Sequence, residues 1–183
     1  KHDELPKNIY TIDVESASEM LDFTVDALRV AKKGIMSKPS LNNPDAIGII
    51  QKEPYLFMVA AVADFTPSYP QVGKIKKSDI GKNWNIELKQ NSDILSSLDK
   101  NGIKTVAFKA ETDKENGLKS AYGLMETKGV DAVCYNHISD ENSFGGNENE
   151  IVWIADDMEI ALGKKDKLSL SLDILECAKK LSK

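Results

Sequence analysis

Cysteine and histidine are scarce here, with two of each in 183 residues: Cys134 and Cys177, His2 and His137. Two cysteines in a chain of this length give no disulfide framework, so buried thiols and a reducing, cytoplasmic setting are expected. Cys134 and His137 form a lone C-x-x-H pair, but a closed zinc site takes four ligands and only two cysteines and two histidines exist. No apolar run approaches the roughly 18 residues of a membrane span, and the first six residues lack the apolar stretch of a signal peptide. Positive charge is in short supply too. Lysine and arginine number 24 against 29 acidic residues, giving a net charge of -5 and a pI near 5.2. Nucleic acid is therefore not expected as a main partner, since it needs a dominant basic face. The G-x-G-x-x-G and G-x-x-x-x-G-K-[ST] loops are absent, which removes the usual dinucleotide and P-loop readings. No G-x-S-x-G elbow exists to support a hydrolase. Any anionic ligand must be met by a local basic patch.

What is present is an ordinary globular composition, 41% hydrophobic and 29% charged, enough for one domain with a sizeable core. Strands alternate with helices. Residues 9–14 read as a short strand. Ser16 and Glu19 form a capping box ahead of Met20, Leu21, Val25 and Leu28 at helical spacing, and Gly34 ends that helix. Residues 35–54 read as an irregular insertion with a short helix. Residues 55–63 are nearly continuously apolar, the pattern of a parallel strand buried on both faces. Asp64 follows it, where open α/β sheets bind ligands, although a turn or cap residue would look the same. From Lys74 the pattern alternates: Trp84, Ile86 and Leu88 share one side, and Gly81 and Asn83 are turn formers. Residues 74–90 are therefore expected to form an inserted hairpin, its apolar face covered by the domain or by a second subunit.

The α/β rhythm then resumes. Ser92 or Asp93 is expected to cap a helix over 94–100 that Gly102 stops, ahead of a strand over 105–110. Leu118, Ala121, Tyr122 and Met125 mark a helix ending at Gly129, followed by a strand over 131–135. Residues 137–150 read as a polar surface loop. Residues 151–154 and 158–162 read as a hairpin around Asp156 and Asp157, and a closing helix is expected over 168–181.

Several blocks stand out in this order: Ala60-Ala61-Val62-Ala63-Asp64-Phe65, Lys74-Ile75-Lys76-Lys77, Asn91-Ser92-Asp93-Ile94-Leu95 and Phe108-Lys109-Ala110-Glu111-Thr112. With Lys128, Asp131, Asn136, Phe144-Gly145 and Asn147-Glu148-Asn149-Glu150, they resemble the phosphopantothenoylcysteine synthetase domain of the bifunctional coenzyme A flavoproteins, in the DNA/pantothenate metabolism flavoprotein family. The likeness runs from about Tyr55 to the end, with a looser fit over 9–20.

The resemblance implies a Rossmann-like three-layer αβα fold with a mostly parallel sheet and a dimerisation hairpin. It implies a CTP-dependent phosphopantothenate–cysteine ligase, with CTP, phosphopantothenate and cysteine as substrates, Mg2+ assisting, and a homodimer as the assembly. FMN would belong only to a decarboxylase domain with no counterpart in these residues. Lys74 matches a lysine on a mobile flap and is the expected catalytic residue. Met58, Val59, Ala60, Asp64, Ser92, Asp93, Ile94, Leu95, Phe108 and Lys128 match nucleotide contacts. Leu124 stands where the family has a nucleotide-contacting lysine, Lys109 where it has a small residue, and Ser92 where it has proline. The glycine-rich turn, with the family's first strand and helix, has no match before Lys1, so a partial domain over 1–183 is expected. Two other readings stay open. One is a nucleotide-binding and dimerisation module that cannot complete the reaction. The other is an unrelated Rossmann-like enzyme.

Overall fold

The computed structural model describes residues 6, 9–34, 53–76, 82–139, 145–156 and 158–182. Almost all of the expected insertion at 35–54 lies outside these residues, as do Lys77, Gly81, Phe144 and Asp157. The capping box forms as expected. The Glu19 N–H donates to Ser16 Oγ at 3.1 Å and the Ser16 N–H donates to Glu19 Oε2 at 3.1 Å, opening helix α1, Ala17–Gly34. The chain continues through β1 (Tyr55–Met58), β2 (Phe65–Pro67), β3 (Leu88–Gln90) and the short helix α2 (Ile94–Ser97). After these come β4 (Lys104–Glu111), α3 (Lys114–Lys128), β5 (Ala132–His137), β6 (Glu148–Ala155), β7 (Met158–Asp166) and α4 (Lys167–Lys179).

Five strands form one sheet in the order β1-β4-β5-β6-β7. β1, β4 and β5 are parallel neighbours, β6 runs against β5, and β7 runs against β6. Only β6 therefore opposes the others, which is the mostly parallel sheet expected. One face carries α1, α2 and α3: Met58 clusters with Leu28, Ile94 and Leu98, and Ala107, Val133 and Tyr135 cluster with Ala121. The other face carries α4, whose Leu170, Ile174 and Ala178 cluster with Val106, Cys134 and Trp153. This is the three-layer αβα arrangement.

Each helix from α2 onward starts on an aspartate. Asp93 accepts from the Ser96 N–H at 2.9 Å, Asp113 from Glu115 and Asn116 at 3.0 and 3.1 Å, and Asp166 from Leu168 and Ser169 at 3.0 Å each. These bonds satisfy backbone donors that a helix start would leave bare. Gly129, at φ 56°, turns the chain out of α3, a left-handed conformation that costs glycine little.

Five expectations are corrected. Residues 9–14 form no strand: they pair with no strand among the described residues, and Tyr10 is 87% exposed. The apolar run at 55–63 is a strand only as far as Met58, and it lies at the sheet's edge with Tyr55 and Val59 exposed, because the chain leaves the sheet after one buried residue. Residues 88–90 pair not within 74–90 but with 65–67, Phe65 opposite Gln90 and Pro67 opposite Leu88, and 84–87 are not in a strand. Helix α2 stops at Ser97, well short of residue 100. Leu98 turns extended to bury itself, and Lys100 Nζ donates to the carbonyls of Leu95 and Leu98 at 2.5 and 3.3 Å, closing the helix end early. Finally, 148–150 belong to β6, paired with 164–166, so the polar loop is shorter than expected.

Tyr135 is the tight point of the α3 layer. Its hydroxyl is buried and has no hydrogen-bond partner among the described residues. Its ring lies against Gly117, where an added Cβ would sit 2.7 and 2.9 Å from Cζ and Cε2. Gly117→Ala is therefore expected to destabilise the protein by about 1–3 kcal/mol through overpacking, despite alanine's better helix propensity. Tyr135→Phe, which removes an unsatisfied hydroxyl, is expected to be neutral or stabilising. Chemical unfolding of both variants checks this. A Gly117→Ala protein as stable as its parent would show that the helix moves freely off the sheet.

Candidate functional site

The parallel strands β1, β4 and β5 all deliver their carboxyl ends to one side of the sheet, and two of the hollows that open there hold expected site residues unique to each. The smaller, of about 200 Å³, lies where α2 meets the segment after β1. It brings together Met58, Ala60, Asp64, Ser92, Asp93, Ile94, Leu95 and Lys128, residues that stand up to 70 positions apart in the chain. Ile94 and Met58 are buried and form its floor, while Asp64 and Ser92 are exposed at its mouth. Ser92 does not cap α2. That role falls to Asp93, which is doubly occupied: Oδ1 accepts the Ser96 N–H and Oδ2 takes the ammonium of Lys128 from the last turn of α3. Lysine at a helix C-terminus also suits the helix dipole. Burial raises the Asp93 carboxyl, but the Lys128 ammonium and the Ser96 N–H outweigh it, and the net effect is a carboxyl below the usual aspartate range.

Four expected site residues lie elsewhere. Val59 and Phe108 line the second hollow. Leu124 is half-buried and packs with Leu95, Leu118 and Met125 against the Ala107, Ala121 and Val133 cluster, so it serves the core. Lys74 is exposed and lines neither hollow. Asn91, beside Ser92 and Asp93 in the chain, braces the pocket wall. Its side-chain amide donates to Ala63 O at 2.8 Å and its backbone N–H donates to Asp64 O at 2.8 Å, which fixes the wall carrying Asp64.

The second hollow, of about 700 Å³, lies on the α4 side. Its walls include Val59, Phe108, Ile151, Leu170 and Ile174, its polar groups Asn136, Asn149, Ser171, Lys109 and Lys167, and Ala60 belongs to both hollows. Lys109 pairs with Glu111 at 2.8 Å. Cys134 lines it as well, but burial, with Cys177 nearby, pushes that thiol up to about 12, leaving it inert at neutral pH. Sequence reasoning missed Lys167 and Ser171, because a lysine and a serine at a helix start carry no periodic or motif signal of their own. Among the described residues no group of three or more histidine, cysteine, aspartate or glutamate side chains is placed to hold a metal ion.

An α/β sheet with ligand-sized hollows outside the carboxyl ends of its parallel strands is the arrangement of small-molecule-binding α/β domains. Residues 46–181 match the DNA/pantothenate metabolism flavoprotein C-terminal domain, and the chain belongs to that family. Among curated proteins it is 30% identical over 175 residues to the coenzyme A biosynthesis bifunctional protein CoaBC of Vibrio vulnificus (strain YJ016), covering 93% of this chain and 38% of that protein. It is 35% identical over 127 residues to the CoaBC of Vibrio parahaemolyticus, covering 67% and 31%. The chain thus spans about a third of the length of these relatives. Its fold is that of the crystallised C-terminal domain of CoaBC, with a TM-score of 0.61 at 23% identity, over 96% of this chain and 67% of that one.

The Asp93–Lys128 pair gives a test with a defined sign. A carboxyl held below its unfolded-state value contributes stability that is fully present above the unfolded value and is lost as pH falls through the folded one. Asp93→Asn keeps a good cap and loses only the ion pair, so it is expected to cost less than about 1 kcal/mol at neutral pH. Asp93→Ala loses both and is expected to cost about 1–2 kcal/mol. Unfolding measured from pH 7 down through the aspartate range should show the gap between the parent and Asp93→Asn closing. A gap that persists in acid would mean that the pair contributes nothing through charge.

Proposed function

We propose that this chain is the nucleotide-handling part of a coenzyme A biosynthesis ligase, joining 4'-phosphopantothenate to L-cysteine through an acyl-cytidylate formed from CTP. What carries the reading is that eight residues expected as nucleotide contacts from separate blocks share one pocket, in a chain of this family. The whole of 1–183 is read as one ligase domain with 74–90 as its flap, and a cytoplasmic setting goes with the reaction.

In this chemistry the phosphopantothenate carboxylate attacks the CTP α-phosphorus, and the bond to pyrophosphate breaks. The cysteine amine then attacks the acyl carbon, CMP leaves, and the amine loses a proton. The first step brings a carboxylate onto a polyanion, so fixed donors and cations must meet the developing charge. Met58 and Ala60 offer backbone groups beside the pocket, Asp64 offers a carboxylate acceptor suited to ribose hydroxyls or a base amino group, and the Asp93–Lys128 pair lines the pocket with its charges already offset. Lys74, exposed on its segment, is the flap charge that closes over the reacting phosphate. Mg2+ is commonly held by substrate phosphates with one or two protein carboxylates; Asp64, exposed at the pocket mouth, would hold it there, and the ion would supply charge neutralisation.

Two tests follow from this assignment. Pyrophosphate release is measured with CTP, phosphopantothenate and Mg2+. Lys74→Ala is expected to lower kcat by at least about tenfold with little change in CTP affinity, since a flap charge acts mainly on the transition state. Unchanged kcat removes Lys74 from the mechanism. CTP binding without pyrophosphate release selects the second reading, a nucleotide-binding and dimerisation module, which the packed Leu124 at a lysine position favours. No CTP binding overturns both.

In this reading the homodimer contact lies on and beside the small sheet, where Phe65 and Leu88 of its strands and Val72, Trp84 and Ile86 of the neighbouring segments are exposed large apolar groups that a monomer would leave in water. Trp84→Asp is expected to shift sedimentation from dimer to monomer. A variant as dimeric as its parent moves the interface elsewhere.

A further inference from the structure

The larger hollow holds no carboxylate among its described lining residues, whereas the α2 pocket holds Asp64 and Asp93 against Lys128 alone. The two therefore differ in sign of charge. Lys109 is already paired with Glu111. Lys167 makes no ion pair among the described residues, and its backbone N–H is held by Asn147 O at 3.3 Å. Its charge sits in the first turn of α4, where the helix dipole opposes a cation, so helix stability does not account for it. Asp166, the nearest acid in sequence, spends its oxygens on the N–H groups of Leu168 and Ser169 and the hydroxyl of Ser169. This end of the hollow therefore presents an ammonium with no carboxylate among its described lining residues. Ala60 lines both hollows, so the two adjoin at that residue.

We propose that the larger hollow is an anion compartment receiving the phosphate group of a phosphate-bearing small molecule, with Lys167 and Lys109 as its charged contacts and Asn136, Asn149 and Ser171 as neutral hydrogen-bonding groups. The inference rests on the ligase reading only for which molecule brings the phosphate. Lys128 offsets only one of the two carboxylates of the α2 pocket, so its net negative charge suits hydroxyl and amino groups, and a nucleotide would place its sugar and base there and its phosphates beyond Ala60. A phosphate ester entering separately presents the same chemistry to Lys167.

The probes are inorganic pyrophosphate and the uncharged nucleoside cytidine, titrated by calorimetry against the parent, Lys167→Gln, Lys109→Met and Asp64→Asn. Lys167→Gln is expected to weaken pyrophosphate binding about tenfold, the worth of one charge-assisted contact. Lys109→Met should weaken it less, because Glu111 already holds that ammonium. Neither lysine variant should alter cytidine binding, which Asp64→Asn should weaken. Raising salt should weaken pyrophosphate and spare cytidine. Lys167→Glu, at an exposed position that tolerates either charge for folding, should abolish pyrophosphate binding. Displacement of pyrophosphate by CTP identifies a nucleotide as the source, and displacement by 4'-phosphopantothenate alone identifies the ester. Either outcome supports the compartment. Pyrophosphate bound equally by the parent and both lysine variants, or not bound by the parent, overturns it. If pyrophosphate binds through Lys167 while cytidine and CTP do not bind at all, the compartment stands and the CTP reading falls.

Discussion

The carboxylate of Asp131 holds the start of the sheet's central strand, and the rest of the architecture is hung from that point. Its Oδ2 accepts from the Thr105 N–H at 2.6 Å and from Thr105 Oγ1 at 2.8 Å, while the Asp131 N–H donates to Thr105 O at 3.0 Å. Parallel strands need a long crossover, and a crossover helix does not by itself set the register of the strand that follows. This clasp does so, tying the turn after α3 to the beginning of β4 just before the two strands begin to pair. Thr105 is almost wholly buried, so its polar groups would be costly without the carboxylate. At the far side of β4, the Lys104 N–H donates to Pro54 O at 3.0 Å, and the Lys104 ammonium meets Glu53 at 2.5 Å and lies 5.6 Å from the centre of the Tyr55 ring. These bonds seat β1 against β4 in the same way.

Once β1, β4 and β5 share a register, their carboxyl ends are level, and everything chemical lies beyond them. Two layers of helix approach those ends from opposite faces, and each contributes a different charge. The α2 and α3 side brings Asp93 already neutralised by Lys128, beside Asp64. The α4 side brings Lys167 and Lys109. Small alanines at 60 and 61 separate the two, and Asn91 braces that separation by bonding to the carbonyls of Ala63 and Asp64. The proposed ligand, with a negative end and a hydroxyl-rich end, would meet a surface already divided to match it. This is preorganisation by backbone placement, and it asks little of side-chain motion.

Much of this was legible in order along the chain. The capping box, Gly129 as a stop, the apolar strand centres at 105–110 and 132–135 and the closing helix all follow from local chemistry, because caps and periodicity act within a few residues. Boundaries were less legible. Helix α2 stops at Ser97 because Leu98 has a core to enter, and 88–90 pairs with 65–67 because that segment lies within reach, neither of which is written in the residues themselves. The continuous apolar run at 55–63 looked like one buried strand, yet only its first four residues join the sheet.

The sequence by itself determined the family, the αβα architecture and the identity of most pocket residues, since these depend on residue type and spacing. Only the tertiary structure decided which of those residues meet. Asp93 and Lys128, 35 positions apart, each look like an independent ligand contact in sequence, but in the fold they neutralise one another. Leu124 could stand for a lost ligand contact or a core residue until its neighbours in the Val133 and Ala107 cluster placed it in the core. Lys167 had no motif to mark it, and became notable only when α4 docked beside the ends of β4 and β5. Charge complementarity depends on distance through space, which sequence separation does not encode.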